Sequence, residues 1–170
     1  MITSRVHPGE TNASWMMQGL LDTLLSPKDE EEEELVNNLK DHFEFYIIPM
    51  LNVDGVINGN TRCNVSGFDL NRCWQSPDKK LHPTIVHMKQ LLTDFQKERE
   101  LLLYCDLHGH SRKKNMFCYG NCEKNDTRYR EKVFPYLLEK QADTFNFNDC
   151  SFAVQKSKES TARVVGWREL

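Results

Sequence analysis

The sequence contains no apolar stretch long enough to cross a membrane, and its first residues lack the apolar core of a secretion signal. It also lacks the strong basic excess that is typical of nucleic-acid-binding proteins, because its net charge is only -3. Six cysteines are present, but no two pairs of them have the spacing of a zinc finger. We therefore expect a cytoplasmic protein with free thiols that contacts neither nucleic acid nor a membrane.

The apolar residues follow helical spacing in some segments and form short continuous runs in others. Helical spacing predicts helices around residues 15–25, 35–39, 83–95 and 133–138. Apolar runs predict strands at 43–50 and 101–105, with weaker strands at 116–119, 152–154 and 164–165. Helices that alternate with buried strands predict an α/β fold with a mixed, mostly parallel sheet flanked by helices. The 170 residues suit one domain.

Two short motifs contain side chains that can bind a metal ion. His7-Pro8-Gly9-Glu10 places a histidine and a glutamate three residues apart around a tight turn, so both could face one zinc ion. His108 follows the predicted strand at 101–105, and open α/β sheets bind ligands beyond such strand ends. Taken singly, the first motif could be a surface turn and His108 a structural histidine. Together, the two histidines and Glu10 form the His2Glu set of a catalytic zinc site, which leaves a fourth position for water.

A long polar segment, residues 52–74, lies between the two motifs and carries Arg62 and Arg72. Loops of this length in a compact domain are usually functional. Near a zinc ion, an arginine could stabilise the oxyanion of a tetrahedral intermediate or hold a terminal carboxylate. The alternative is that these arginines only keep the loop soluble.

The order of these motifs resembles that of zinc metallocarboxypeptidases of the carboxypeptidase A type. The matching segments are His7-Pro8-Gly9-Glu10, the Asn-x-Asp-Gly turn at 52–55, Asp69-x-Asn71-Arg72 and Asp106-Leu107-His108. The amino-acid sequences of residues 5–11, 48–52, 106–111 and 154–158 are similar to those of one branch, the cytosolic carboxypeptidases. The resemblance extends across the whole chain, and it implies the zinc carboxypeptidase fold with one zinc ion per chain.

The resemblance also implies roles for individual residues at the metal. His7, Glu10 and His108 correspond to the family's zinc ligands. Asp69 corresponds to an outer carboxylate that orients the first histidine, a kind of support that metal sites commonly need.

Three further matches concern the substrate. Arg62 corresponds to the catalytic arginine that polarises the scissile carbonyl, and Asn71 and Arg72 correspond to the pair that holds the substrate's C-terminal carboxylate. Enzymes of this type release C-terminal residues by attack of zinc-activated water. The cytosolic branch removes glutamates, including those of tubulin side chains.

A basic segment near the end of the chain could provide selectivity for acidic residues. Lys156, Lys158 and Arg163 could form a pocket that favours a glutamate side chain through charge-assisted hydrogen bonds. The alternative is a basic face in contact with solvent. Together with the family resemblance, this segment leads us to expect that the binding partners are acidic protein C-terminal tails, those of tubulin above all.

One part of the family pattern has no match in the chain. The resemblance places the general base, a glutamate, on a strand beyond the segment of Arg163, and the sequence ends at Leu170 before that region. We therefore expect residues 1–170 to be a partial catalytic domain, incomplete at both ends. Because general-base help is typically worth about 10²–10⁴ in rate, we expect much lower activity than that of a complete enzyme.

Two other functions fit part of the pattern. A zinc amidohydrolase of the aspartoacylase type shares an H-x-x-E motif and a later histidine, although the residues around His7 and His108 argue against it. A truncated product could instead bind zinc or acidic tails without turnover.

Overall fold

The computed structural model describes residues 1–122 and 128–169 of the chain. It contains two compact units, Met1–Gly109 and His110–Leu170. The first unit carries the sheet. In the described part of the second unit, helices are joined by irregular segments that contain isolated β-bridges.

A small parallel sheet belongs to the first unit. Its strands are β1 (Ile2–Ser4), β2 (Ile47–Ile48) and β3 (Cys105–Leu107), in the order β2-β1-β3. Thr3 of the central strand pairs with Ile48 on one side and with Asp106 on the other. Because the strands are parallel, their carboxyl ends meet at one edge of the sheet, where ligands bind in open α/β folds. This sheet with its flanking helices confirms the predicted α/β class, and its strands are all parallel.

Four α-helices and one 3-10 helix complete the first unit. They are α1 (Thr11–Leu25), α2 (Glu30–His42), α3 (Val53–Ile57), α4 (Pro83–Glu98) and the 3-10 helix Leu70–Arg72. The side chain of Asp29 caps α2 by accepting a hydrogen bond from the Glu32 amide at 2.9 Å. Acidic residues in the first turn of α2 and basic residues in its last turn complement the helix dipole.

The core of the first unit is built from apolar side chains at helical spacing. The helix α1 buries Ala13, Met17 and Leu24. The helix α4 begins with Pro83, a residue suited to the first helical position. From that start it buries a set of side chains on one face, namely Ile85, Met88 and Leu92.

The second unit contains two α-helices and two 3-10 helices in its described part. These are α5 (Arg130–Gln141), α6 (Ala162–Glu169), Phe147–Asp149 and Lys156–Lys158. Isolated parallel bridges join Met116 to Phe145 and Tyr119 to Ser151. The helix α6 buries Ala162, Val164 and Val165.

The predicted helices are present, whereas several predicted strands are shorter, shifted or wrong. The run at 43–50 contributes only Ile47–Ile48 to the sheet. The strand predicted at 101–105 is Cys105–Leu107 instead, because its pairing with β1 joins Ile2 to Cys105. Leu102 lies ahead of this pairing and is 71% exposed.

Two weaker strand predictions in the second unit are also wrong. Residues 164–165 lie inside α6, where helical backbone buries both valines. Residues 152–154 are not in a strand. Residues 116–119 take part only in the two isolated bridges.

Across the described residues, no helix is both long enough and apolar enough to cross a bilayer.

Candidate metal centre

The three predicted ligands lie at the carboxyl edge of the sheet. His7 is on the turn that follows β1, and Glu10 is the residue directly before α1. His108 directly follows β3. Two neighbouring parallel strands therefore deliver these side chains to the same place, although 98 positions of sequence separate Glu10 from His108.

The turn that carries His7 is held in place by its own residues. Arg5 has a positive φ of 54°, and its guanidinium donates to the main-chain oxygen of Pro8 from Nε (3.1 Å) and Nη2 (2.7 Å). Its third nitrogen, Nη1, donates to Oγ of Ser14 in α1 at 2.8 Å. Arg5 thus ties the turn to the first helix, a role that sequence reasoning did not assign to it.

Two glycines allow the turn to pack closely against neighbouring loops. Gly9 donates its amide to the oxygen of Thr61 at 2.8 Å, and a Cβ at Gly9 would lie 2.7 Å from that oxygen. A Cβ at Gly55 would lie 2.6 Å from Cγ of Pro8. Both distances are too short for any larger residue, so the loop carrying His7 depends on glycine at these positions.

Asn52 links the start of α3 to the segment between β1 and His7. Its side chain is buried, donates to the main-chain oxygen of Val6 at 3.1 Å and accepts from the Gly55 amide at 3.1 Å. The Asn-x-Asp-Gly motif was visible in the sequence, but its function as a support beneath the turn was not.

The candidate ligand atoms converge on one point. One donor atom each from His7, Glu10 and His108 can be chosen so that all lie within 4.8 Å of one another. Nδ1 of His7 is 2.9 Å from Oε1 of Glu10, and the two imidazole rings are nearly perpendicular, with centroids 5.0 Å apart. Two imidazole nitrogens and one carboxylate oxygen are a donor set that suits catalytic zinc. The residues therefore fit a zinc ion.

Each of the first two ligands has a further partner that fixes its orientation. Nε2 of His7 lies 3.0 Å from Oδ1 of Asp69. Glu10 accepts a hydrogen bond from the Gly109 amide on Oε2 at 2.6 Å. A Cβ at Gly109 would lie 2.7 Å from Oδ1 of Asn12 and 3.2 Å from Cγ of Glu10, so a larger residue there would require both side chains to shift.

The hydrogen bonds of this cluster shift its pKa values. Burial opposes ionisation of Asp69, but the hydrogen bond and charge of His7, together with Arg62, hold the pKa of its carboxyl well below the usual range. Burial likewise opposes ionisation of Glu10, while His7 and the Gly109 amide lower its pKa. Burial opposes protonation of His7, but its bonds to Asp69 and Glu10 raise its pKa. Both carboxylates are thus ionised at neutral pH, as a metal site requires.

The predicted substrate residues of the first unit lie around the same cluster. Arg62 donates to Oδ2 of Asp69 from Nε at 2.8 Å, and its Nη2 is 2.7 Å from the same atom. Its side chain is 47% exposed, and Nη1 is 4.0 Å from Oε1 of Glu10. The guanidinium is therefore anchored at the site while much of it still faces solvent.

Asn71 and Arg72 lie on the 3-10 helix that follows Asp69. The main-chain amide of Asn71 donates to Oδ1 of Asp69 at 3.0 Å and so closes the turn. Nδ2 of Asn71 lies 3.0 Å from Nε2 of His108. Arg72 donates from Nη1 to the main-chain oxygen of Asn71 at 3.0 Å. Asn71 therefore touches a candidate metal ligand, a contact that sequence reasoning missed because 37 positions separate the two residues.

The three basic residues predicted to select acidic side chains belong to the second unit. Lys156 is exposed and Lys158 half-buried on their 3-10 helix. Arg163, in α6, donates from Nη1 to Oδ1 of Asn121 at 2.8 Å and to the main-chain oxygen of Gly120. Burial lowers the pKa of Arg163. Its guanidinium thus supports a loop of the second unit, and selection of acidic side chains stays a prediction.

Comparison with known families gives a match over nearly the whole chain. The family model described as zinc carboxypeptidase matches residues 1–162. Cytosolic carboxypeptidase 1 of Homo sapiens is 50% identical over 186 residues, which cover 99% of this chain and 15% of that protein. Cytosolic carboxypeptidase 2 of Xenopus tropicalis is 50% identical over 172 residues, covering 99% of this chain and 17% of that protein. The chain thus spans less than a fifth of the length of these relatives.

Solved structures show the same fold. A metallo-carboxypeptidase from Burkholderia cenocepacia superposes with a TM-score of 0.84 at 23% identity, covering 99% of this chain and 44% of that one. A metallo-carboxypeptidase from Pseudomonas aeruginosa, solved with (2-guanidinoethylmercapto)succinic acid, has a TM-score of 0.72 at 28% identity. That match covers 97% of this chain and 44% of the Pseudomonas chain.

Proposed function

This chain belongs to the zinc carboxypeptidase family, and from that premise we propose that it binds one zinc ion through His7, Glu10 and His108 and acts in the release of C-terminal residues from protein tails. The observation that carries the proposal is the convergence of three ligand atoms within 4.8 Å at the carboxyl edge of the sheet. Zinc in such a site supplies Lewis-acid chemistry for hydrolysis.

The proposed roles of the neighbouring residues follow from their positions. Asp69 keeps the proton of His7 on Nε2, which leaves Nδ1 free to face Glu10 and the metal. Arg62 is fixed through Asp69, and its side chain is 47% exposed, so the carbonyl of a bound peptide can meet it. Such a guanidinium would stabilise the negative charge that develops on that oxygen.

Asn71 and Arg72 are proposed to hold the terminal carboxylate of the substrate. They are adjacent on the 3-10 helix Leu70–Arg72, which directly follows Asp69. An amide and a guanidinium are suitable donors for a carboxylate, and the planar guanidinium can bind both of its oxygens. A carboxypeptidase needs such a contact because it must distinguish a chain end from an internal peptide bond.

We further propose that the substrate residue is glutamate and that tubulin tails are among the substrates. The names of the relatives, cytosolic carboxypeptidases 1 and 2, support a cytoplasmic enzyme acting on protein C-termini. Lys156, Lys158 and Arg163 are the proposed contacts for an acidic side chain, since an acidic group gains most from charge-assisted hydrogen bonds. We also propose that residues 1–170 are part of a larger catalytic domain, which the 44% coverage of the solved chains supports.

The first test is the zinc content of the purified, folded chain. We expect about one zinc per chain in the wild type and a loss of zinc in His108→Ala. His87→Ala is the matched control, because His87 lies on α4 outside the cluster. A folded wild-type chain that binds no zinc would contradict the proposed function, and so would equal zinc content in wild type and His108→Ala.

The second test is the substrate. Release of glutamate from a peptide ending in several glutamates is compared with release from a peptide ending in alanines and with hydrolysis of N-acetyl-aspartate. We expect the acidic peptide to be the preferred substrate. Preference for N-acetyl-aspartate would assign the site to an amidohydrolase instead.

A further inference from the structure

A single turn of the first unit touches both histidines of the candidate metal centre. Asp69, which precedes the 3-10 helix Leu70–Arg72, has its Oδ1 3.0 Å from Nε2 of His7. Asn71, two residues later, has its side-chain amide 3.0 Å from Nε2 of His108. The same ring nitrogen is thus contacted in each histidine, and in each case by a residue of the same turn.

Hydrogen bonds within this turn hold its residues in place. The main-chain amide of Asn71 donates to Oδ1 of Asp69 at 3.0 Å and so closes the turn. Arg72 donates to the main-chain oxygen of Asn71, and Sγ of Cys73 donates to the main-chain oxygen of Asp69 at 3.3 Å. Asn71 is only 8% exposed. A buried amide at hydrogen-bond distance from a half-buried imidazole restricts the rotation of that ring.

We propose that Asn71 positions His108 for zinc, as Asp69 positions His7, so that one turn fixes both imidazole ligands. The inference rests on the proposed function, in which both histidines bind zinc. An asparagine amide can present either its oxygen or its NH2 group at the same point. In the structure Nδ2 of Asn71 faces the ring; with the amide turned over, Oδ1 takes that place, accepts the Nε2–H of His108 and leaves the Nδ1 lone pair of His108 for the metal.

The consequence is a link between metal and substrate. Asn71 is proposed to hold the substrate's terminal carboxylate, and the same side chain would set the orientation of a zinc ligand. Loss of Asn71 should therefore affect zinc binding even when no substrate is present. A residue that only holds the carboxylate would leave zinc affinity unchanged.

The test is a titration of zinc against a competing chelator, using the full chain without substrate. Asn71→Leu removes the acceptor, and we expect its zinc Kd to rise by about 10- to 100-fold, the usual cost of losing such a partner. Asn71→Asp keeps an acceptor at the same point, so its zinc Kd should stay within about threefold of the wild-type value. Its binding of a glutamate-ending peptide should fall, because a carboxylate repels the terminal carboxylate.

Asn58→Leu is the matched control, because Asn58 is exposed and its side chain donates to Oδ1 of Asn60, outside the metal cluster. Far-ultraviolet circular dichroism of the zinc-free variants checks that each is folded. Should Asn71→Leu fail to fold, Asn71→Ser replaces it, since a serine is too short to reach the ring.

Two results would overturn the inference while leaving the proposed function intact. One is a wild-type zinc Kd in Asn71→Leu, which would limit Asn71 to the substrate. The other is an Asn71→Asp variant that binds zinc as weakly as Asn71→Leu, because this would show that an acceptor facing Nε2 of His108 does not restore zinc binding. A wild-type chain without zinc affinity would instead reject the proposed function, and the inference with it.

Discussion

Oδ1 of Asp69 lies 3.0 Å from Nε2 of His7, a contact between residues 62 positions apart in the sequence. The same carboxylate receives Nε of Arg62 on its other oxygen at 2.8 Å. One side chain therefore orients both a candidate zinc ligand and the arginine proposed to polarise the substrate. This shared dependence predicts that Asp69 matters for the metal as well as for the reaction.

Replacing Asp69 with asparagine should weaken zinc binding. The amide can still face His7 but no longer carries the charge that favours a proton on Nε2. We expect the zinc Kd to rise by about 10- to 100-fold, measured by competition with a chelator. Asp41→Asn, an exposed change on α2, should leave the zinc Kd at its wild-type value. An unchanged Kd in Asp69→Asn would show that the carboxylate does not support the metal.

The pKa shifts of the cluster predict how stability depends on pH when zinc is removed by a chelator. The pKa of His7 is raised, so its contribution is fully present below the unfolded imidazole value of about 6.5 and is lost as pH rises through the folded value. The pKa of Asp69 is lowered, so its contribution is present above about pH 3.9 and is lost as pH falls towards the folded value. The pair therefore stabilises the zinc-free chain most between about pH 4 and 6.5.

Denaturant unfolding at several pH values measures this effect as the difference in the free energy of unfolding between the wild type and Asp69→Asn. We expect the difference in the free energy of unfolding to be largest near pH 5.5 and to shrink above about pH 7. With zinc present, the trend above pH 6 should reverse, because the metal replaces the proton on His7 and binds more tightly as pH rises. A difference that does not vary with pH would contradict the proposed ion pair.

Two glycines offer a comparison of close packing with open space. A Cβ at Gly109 would lie 2.7 Å from Oδ1 of Asn12 and 3.2 Å from Cγ of Glu10, whereas a Cβ at Gly19 would meet nothing within 4 Å. We expect Gly109→Ala to destabilise the chain by about 1 kcal/mol and to weaken zinc binding, because Cγ of Glu10 must shift and the exposed Asn12 side chain must rotate away. Gly19→Ala, inside α1, should stabilise it by about 0.5–1 kcal/mol. Chemical denaturation measures both, and equal effects would refute the packing argument.

The helices could be predicted from the sequence because their signal is local. Apolar residues at helical spacing, such as Ile85, Met88 and Leu92, gave α4 within a few residues of its observed bounds. The strands could be predicted less well, because pairing decides their limits. The continuous apolar run at 101–105 predicts a buried strand, yet pairing with β1 begins only at Cys105.

The same distinction applies to the candidate site. The three ligands were predicted because they stand in short motifs with recognisable spacing, and the structure brings them together. Their supporting contacts could not be predicted. The Gly109 amide reaches Glu10 across 99 positions, and Asn71 reaches His108 across 37. No local pattern marks such pairs, because only the register of parallel strands and the path of the loop bring them into contact.

Asn52 provides a last comparison, between a buried and an exposed asparagine of neighbouring segments. Asn52 is 3% exposed and bonds to both Val6 and Gly55, so Asn52→Ala would leave a buried carbonyl and a buried amide without partners. Each unsatisfied buried group costs about 1–3 kcal/mol, and we expect a loss of at least that size in the free energy of unfolding. Asn58 is exposed, so Asn58→Ala should change it by less than about 0.5 kcal/mol. Because Val6 precedes His7, the zinc Kd should also rise in Asn52→Ala. A stable Asn52→Ala chain with wild-type zinc affinity would show that the turn beneath His7 does not hold the metal site in place.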